Sequence, residues 1–510
     1  MSTTTHPWYT PETFRTAREL IEAQCRKFKE RILFQFNEGE ETTSKTYAEF
    51  WQDITALGTA FYERGIRKAR TAIAGNNSYE WAVAFFASIC GGNTVVPLNN
   101  TLPKESALRQ IEHSDSTVLI YAKELASLAH DANVKLRIGM SELSELIEEG
   151  KELIRQGVRD FQDHLPDPEE LALIMYTSGT TGDSKGVTLT HATITRQTDA
   201  LCRALDFSGK NMISLPLYHI FALVLGLFVF PVMGSMVFIN GEIKRLLSDV
   251  RSFGPRTLFL VPMLIEALCK RASGMSNDEA KEFMGGNLEQ IINGGAVLDY
   301  RFVTEMKKYG VEARNAYGMT EACLGITGQR DTETSPGSLG TPFEGVKLRI
   351  HKPDKDGNGE ILVNADWMTK YYHKNPEATR QSIRNGWFHT GDLGKLDEHG
   401  ALYITGRIKN LIILSNGENV SPEELETPLM RSEYVAECIV HEHNGFIAAT
   451  IYPNQNYASE LQISRDEVHR RISAHTHDLN RQRPRAKHIH KVILSDSPLP
   501  RTASGKIKRF

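Results

Sequence analysis

The chain has 510 residues and six cysteines, Cys25, Cys90, Cys202, Cys269, Cys323 and Cys438, but no CxxC pair. That scatter excludes a zinc ribbon and a disulfide scaffold, and it predicts reduced thiols in a cytoplasmic protein. Neither sign of charge is in excess, since 59 Lys and Arg stand against 63 Asp and Glu for a formal net charge of -4. No global basic field exists to recruit nucleic acid or an anionic membrane, so any phosphate must be held locally. Residues 1–8 lack the basic and apolar regions of a signal peptide. Thr10, Pro11 and Glu12 read instead as N-cap, first-turn proline and acidic first turn of a helix.

One long apolar run lacks charge, the twenty residues IFALVLGLFVFPVMGSMVFI from Ile220 to Ile239. It is long enough to span a bilayer, but Pro231 and Gly234-Ser235 divide it. A short apolar helix followed by a buried strand, MVFI, is expected there, with no transmembrane anchor.

What remains is an ordinary globular mixture, 40% hydrophobic and 24% charged, long enough for several domains. From about Thr46 to Gly310, short apolar or β-branched runs alternate with amphipathic helical stretches. The runs are Thr71–Ile73, Val95–Leu98, Thr117–Tyr121, Leu173–Tyr176, Leu258–Val261 and Gln290–Asn293, and the helical stretches include Ala82–Cys90 and Glu142–Phe161. This predicts an α/β fold of doubly wound layers with mainly parallel strands. From Lys347 to Thr405 the texture becomes short strands and turns, a hairpin-rich β subdomain at about 340–406. The remaining residues, with strands at Cys438–Val440 and Ile447–Tyr452 and a helix near Arg465–Ser473, suit a small α+β domain. The expected organisation is therefore a large N-terminal domain, 1–406, and a small mobile C-terminal domain, 407–510.

The densest chemical signal is YTSGTTGDSKG, Tyr176 to Gly186, directly after an apolar strand. Gly179, Gly182 and Gly186 let backbone amides converge on an anion. Thr177, Ser178, Thr180 and Thr181 add hydroxyl donors, and Lys185 adds a positive charge, so the segment suits a polyphosphate. Its spacing is not that of a Walker A loop. A polar surface loop is the bland alternative, and it does not account for such density beside a core strand.

This segment resembles the phosphate loop of the acyl-adenylate-forming superfamily, which includes acyl-CoA synthetases, peptide-synthetase adenylation domains and firefly luciferase. Proline is usual where Ser184 stands. Further segments resemble the family's in the same order along nearly the whole chain. NAYGMTE, Asn315 to Glu321, resembles the segment in which an aromatic (Tyr317, beside Gly318) stacks near adenine, Thr320 contacts phosphate and Glu321 helps hold Mg2+. A carboxylate is a hard oxygen ligand for a hard cation. Gly294, Gly295 and Ala296, after a strand, would let backbone approach adenine and acyl groups, unless they form only a buried turn. In the TGD element the resemblance assigns Asp392 to the ribose hydroxyls. Fifteen residues on, Arg407 is implied as a ribose contact and Lys409 as the inter-domain hinge, followed by Asn410 where relatives commonly have an acid. The tail PRTASGKIKR resembles the signature whose lysine, Lys506 here, drives adenylation by offsetting charge between carboxylate and α-phosphate. Alone, such a basic tail would read as a solvated end.

For the acid, PLYHIFAL from Pro216 to Leu223 carries no acidic residue to hold an α-ammonium group. It resembles the segment of acyl- and aryl-CoA ligases in which a histidine, His219 here, and an aromatic wall the acid's path. A neutral core histidine is the alternative. For the acceptor, the loop around Gly417 resembles the one that approaches the pantetheine arm of coenzyme A, and no attached carrier domain is expected after Lys506. The resemblance thus implies an ATP-, Mg2+- and coenzyme A-dependent carboxylate–CoA ligase acting on an apolar acid, a medium- or long-chain fatty acid first and aryl or steroid acids next. Loading of a carrier protein's phosphopantetheine, a luciferase-like oxygenase and a nucleotide binder without turnover are the alternatives.

Three weaker patterns are assigned to structure. Asp354 to Gly359 begins like a calcium loop, but Ala365 stands where the bidentate acid belongs, so a hairpin turn is expected. The pairs His475/His477 and His488/His490 lack a third ligand. Arg465 to Arg509 holds twelve basic residues against four acids, a solvated basic face.

Overall fold

The six β-branched or apolar runs between Thr71 and Asn293 fold as strands with parallel neighbours, as their alternation with helices requires. The structure is a computed structural model that describes residues 9, 10, 12–177, 184–330, 336–413, 419–501 and 507–509. Among these, six strands form one sheet in the order Leu136–Gly139, Val118–Tyr121, Arg70–Ala74, Thr94–Leu98, Leu171–Thr177, Lys185–Thr190. All neighbours run parallel except the last two, which pair antiparallel with Thr177 opposite Lys185. The two ends of the glycine-hydroxyl segment therefore lie side by side at the edge of a buried sheet.

The second sheet is centred on Glu312–Met319, Gln290–Asn293, Thr257–Leu260, Lys210–Ile213, Met236–Ile239 and Ile32–Glu38, parallel throughout. Antiparallel strands flank it, Glu41–Thr46 at one edge and Leu324–Gly328 then Thr341–Pro342 at the other. Helices pack on the sheets around one large buried cluster and two smaller ones. The helix Tyr79–Cys90, capped by Ser78, is buried on every side except at Glu80, and a helix apolar all round belongs between layers. Its Phe86 ring meets Phe228 edge-on at 5.3 Å.

Phe228 belongs to the uncharged run, which divides as expected into a helix ending at Val232 and the strand Met236–Ile239. Pro231 does not end the helix. It lies in the last turn, after a π-helical turn at Leu225–Val229, and the break comes at Gly234, whose φ is +66°. Among the described residues no helix is long and apolar enough to cross a membrane. The other correction concerns the first helix, which begins at Ala17 and not near Thr10. Thr16 is its N-cap, with Oγ1 accepting the Glu19 N–H at 3.1 Å while the Glu19 carboxylate takes the Arg15 N–H.

The chain divides into two compact units, residues 1–347 with 363–388, and residues 348–362 with 389–510. In the second, the Asp354 carboxylate accepts N–H groups of Asp356 and Asn358 in a turn with Gly357 at φ +82°, which makes this segment the expected hairpin turn. Trp387–Leu396 pairs antiparallel with Leu402–Arg407. Beyond them, Val435–His443 and Phe446–Pro453 form a hairpin, with Lys491–Leu494 parallel to its second strand. The helix Arg465–Arg481 buries Val468 and Ile472 in a separate core with Leu425, Val440 and Ile451.

Candidate active site

In the first unit Lys185 opens its strand half-buried, with Nζ 4.9 Å from the centre of the Tyr372 ring. Tyr372 arrives from a segment that lines up along the same strand. His373 donates its N–H to Gly186 O at 2.7 Å, Thr188 Oγ1 lies 2.5 Å from Tyr371 O, and Val187 bridges Tyr372. The Tyr372 hydroxyl donates to Glu321 Oε1 at 2.7 Å, and the Thr369 N–H donates to Glu321 O at 2.7 Å. Burial, and then the Glu321 carboxylate, push the Tyr372 phenol well above its ordinary pKa, so it stays a neutral donor. One aromatic side chain thus touches both the loop lysine and the acid of the Asn315–Glu321 segment. Tyr372 was not singled out in the sequence, because its partners lie 51 and 187 residues away and no local spacing marks it.

Glu321 sits in a short 3-10 turn, Thr320–Ala322, after the strand Glu312–Met319. Its carboxylate is buried and Thr320 half-buried. The turn is tight. Cys323 and Leu324 have φ of +52° and +127°, a region that side-chain-bearing residues rarely adopt, and a Cβ on Gly318 would lie 1.6 Å from Leu324 O. Such strain persists only where surrounding structure enforces it, and here it fixes where Glu321 points.

Tyr317 is buried. Asn315 is buried as well, and its Oδ1 accepts both Asn293 Nδ2 at 2.8 Å and the Leu298 N–H at 3.1 Å. Its backbone N–H donates to Gln329 Oε1. These bonds make Asn315 the pin of the turn that carries Gly294, Gly295 and Ala296. Gly294 is required by packing, since a Cβ there would meet the Phe221 ring at 2.8 Å. Gly295, at φ +84°, and Ala296 are exposed. Phe221 also lies 5.4 Å from Phe259, and His219, whose ring is 4.7 Å from Tyr218, is exposed. The core-histidine alternative for His219 is therefore wrong.

In the second unit the spacing of Asp392 and Arg407 becomes register. The two residues are directly opposite in the antiparallel pair, with Arg407 Nε 2.8 Å from Asp392 Oδ1. The Asp392 side chain is 6% exposed, and its N–H donates to Thr390 Oγ1. Lys409 is exposed in the short turn Ile408–Asn410. Ser178, Gly179, Thr180, Thr181, Gly182, Gly417 and Lys506 lie outside the described residues. Among the described residues no cluster of three His, Cys, Asp or Glu suits a metal ion.

Residues 21–373 match the AMP-binding enzyme family, and residues 409–510 match the AMP-binding enzyme C-terminal domain. The chain is similar to fatty acyl-CoA synthetase B of Dictyostelium discoideum, 26% identical over 87% of this chain and 78% of that protein. Feruloyl-CoA synthase of an Amycolatopsis species is 29% identical over 78% of this chain and 80% of its own length. Among solved structures, o-succinylbenzoate coenzyme A synthetase of Bacillus subtilis in complex with ATP and magnesium ion is 25% identical. It superposes with a TM-score of 0.77 over 96% of this chain and 98% of that one. Loop lysine, buried glutamate and paired Asp392–Arg407 thus occur in a chain that belongs to the family of AMP-binding enzymes.

Proposed function

We propose that the protein is an AMP-forming acid–CoA ligase for an apolar carboxylic acid, with a medium- or long-chain fatty acid as the favoured substrate. The observation that carries this reading is the meeting of Lys185 and Glu321 on Tyr372, which joins the phosphate-loop lysine to a buried acid. Glu321 fits a divalent cation. It is a buried hard-oxygen donor whose orientation is set by the Tyr372 hydroxyl and by a constrained turn. With ATP bound, Mg2+ there would neutralise phosphate charge.

The chain's own groups divide the remaining tasks. Lys185 and the Thr177–Gly182 segment bind phosphates, Thr320 donates to the α-phosphate, and Asp392, oriented by Arg407, accepts the ribose hydroxyls. Phe221, beside Gly294, offers the acid an apolar wall together with half-buried Val261, Met319 and Leu324. The acid's carboxylate oxygen attacks the α-phosphorus, the bond to pyrophosphate breaks, and Lys506 offsets the charge that accumulates. In the second half-reaction the coenzyme A sulfur, its proton released, attacks the acyl carbon and AMP leaves. Residues 407–510 act as the mobile domain, pivoting at Lys409 and presenting the Gly417 loop to the thiol arm. Feruloyl-CoA synthase supports an aryl acid as the second reading. The six described cysteines are free and buried, which supports a cytoplasmic setting.

A panel of fatty and aryl acids with Mg·ATP and coenzyme A, followed by mass spectrometry, tests the proposal. AMP and acyl-CoA from the fatty acids, with acyl-AMP formation collapsing in Lys506→Ala, is the expected result. Acyl-AMP without thioester would move the acceptor to a carrier protein, and no AMP from any acid would overturn the ligase reading.

A further inference from the structure

We propose that Glu423 and Glu426, neighbours on one face of the helix Pro422–Leu429, are positioning residues that tie the hinge to the tail bearing Lys506. The roles of Lys409 and Lys506 rest on the ligase reading; the tie itself rests on contacts within the second unit.

Glu423 is the meeting point. Asn410, next to Lys409, donates through Nδ2 to Glu423 Oε1 at 2.5 Å, and an Arg509 guanidinium nitrogen lies 3.1 Å from the same oxygen. The other Glu423 oxygen is 2.9 Å from Ser421 Oγ, which in turn is 2.6 Å from Thr405 O. This approach depends on Gly406, where a Cβ would lie 1.9 Å from Ser421 Oγ. Both sides of the hinge turn are thereby gathered onto the start of one helix.

Glu426 takes the tail. Arg509 donates to its two oxygens at 2.9 and 2.6 Å, a bidentate fork, and the Val440 N–H fixes the carboxylate at 2.7 Å. The Glu426 side chain is 14% exposed, which lifts this pair above an ordinary surface contact. Arg509, three residues beyond Lys506, is thus held to this helix. At the other side Arg501 Nη2 meets Glu437 at 2.5 Å, the Leu499 N–H donates to the same carboxylate, and Arg501 bridges Ile507. The Lys508 N–H returns to Pro500 O at 2.7 Å.

The arrangement also gives Asn410 a reason. An aspartate there would set a second carboxylate against Glu423, whereas the asparagine amide donates to it. Hinge and tail therefore share one acidic anchor, so a change at one is felt at the other.

The test uses the full chain and two readouts. Trypsin cleavage after Lys506, relative to cleavage after Arg481 in the same unit, reads the tie without reference to activity. Single-turnover acyl-AMP formation, with the best acid of the panel, reads its consequence. Arg509→Met and the near-isosteric Glu426→Gln are expected to raise relative cleavage at least fivefold and to slow acyl-AMP formation at least tenfold, with the KM for ATP changed less than twofold. Arg509→Lys should recover part of both. Asn410→Ala combined with Arg509→Met should be no slower than the slower single variant. Relative cleavage within twofold of the parent, equal rises at Lys506 and Arg481, or multiplying effects in the double variant would each overturn the proposal. If the parent forms no acyl-AMP, the ligase reading fails and the cleavage ratio alone decides the tie.

Discussion

Two antiparallel pairs hold residues of the proposed site, and they are built differently. In the first unit Thr177 stands opposite Lys185, and the lysine rests on a tyrosine ring that also hydrogen-bonds a buried glutamate. In the second, Asp392 stands opposite Arg407 and the two form a direct ion pair, with Arg407 44% exposed. One region depends on burial and on a neutral donor supplied from far along the chain. The other depends on charges placed by local register, and these are open to screening by salt. The first should therefore fail sharply when an atom is lost, whereas the second should weaken by degrees.

The largest effect is expected from Glu321→Gln, which keeps the Tyr372 bond and removes the charge. Acyl-AMP formation should fall by ~100-fold or more, measured by single turnover at saturating ATP; a loss under tenfold would sink the cation role. Tyr372→Phe comes next, because it leaves the ring under Lys185 but withdraws the hydroxyl from a buried carboxylate. A loss of about tenfold is expected, together with a higher Mg2+ requirement, read by titrating the metal.

Arg407→Ala should raise the KM for ATP by roughly fivefold with a smaller change in kcat. Sodium chloride at about 0.5 M should move the parent in the same direction, and should leave the Tyr372→Phe to parent ratio unchanged. If salt shifts that ratio as much as the KM, the contrast between the two regions fails.

The last effect is on stability and leaves the chemistry untouched. Burial holds the imidazole of His191 down to about 4 from its usual 6.5, and neither ring nitrogen has a described hydrogen-bond partner. The unfolded chain binds that proton as pH falls below 6.5 while the folded chain refuses it. Stability is thus present above pH 6.5 and lost toward pH 4, by up to about 3 kcal/mol. Thermal melts across this range should show a decline that flattens in His191→Gln; an unchanged slope would count against it.

Sequence reading reached far where the information is local. The six apolar runs became strands within a residue or two at each end, because β-branched runs between turn residues have few other folds. Asp392 and Arg407 were reached through the resemblance, and their direct opposition across a hairpin appears only in the fold. Tyr372, Glu423 and Glu426 were not legible. Each acquires its role from a partner that tertiary folding delivers, and a tyrosine or glutamate in isolation has no distinguishing pattern. The misplaced first helix is a different case. Thr10 and Thr16 are equal as N-caps by type, but only Thr16 has a glutamate three residues on, and that signal was available.

The buried cysteines have one further consequence. Burial raises all six thiols, Cys90 and Cys269 to about 12 and the others at least as clearly, so few are thiolates at neutral pH. Maleimide dyes should pass over them. The unmodified chain is thereby a ready background for labelling, in which one cysteine introduced on the surface of each unit would accept a fluorophore pair. Energy transfer between the pair would then test the proposed hinge at Lys409 in a chain that keeps all its native residues at those six positions.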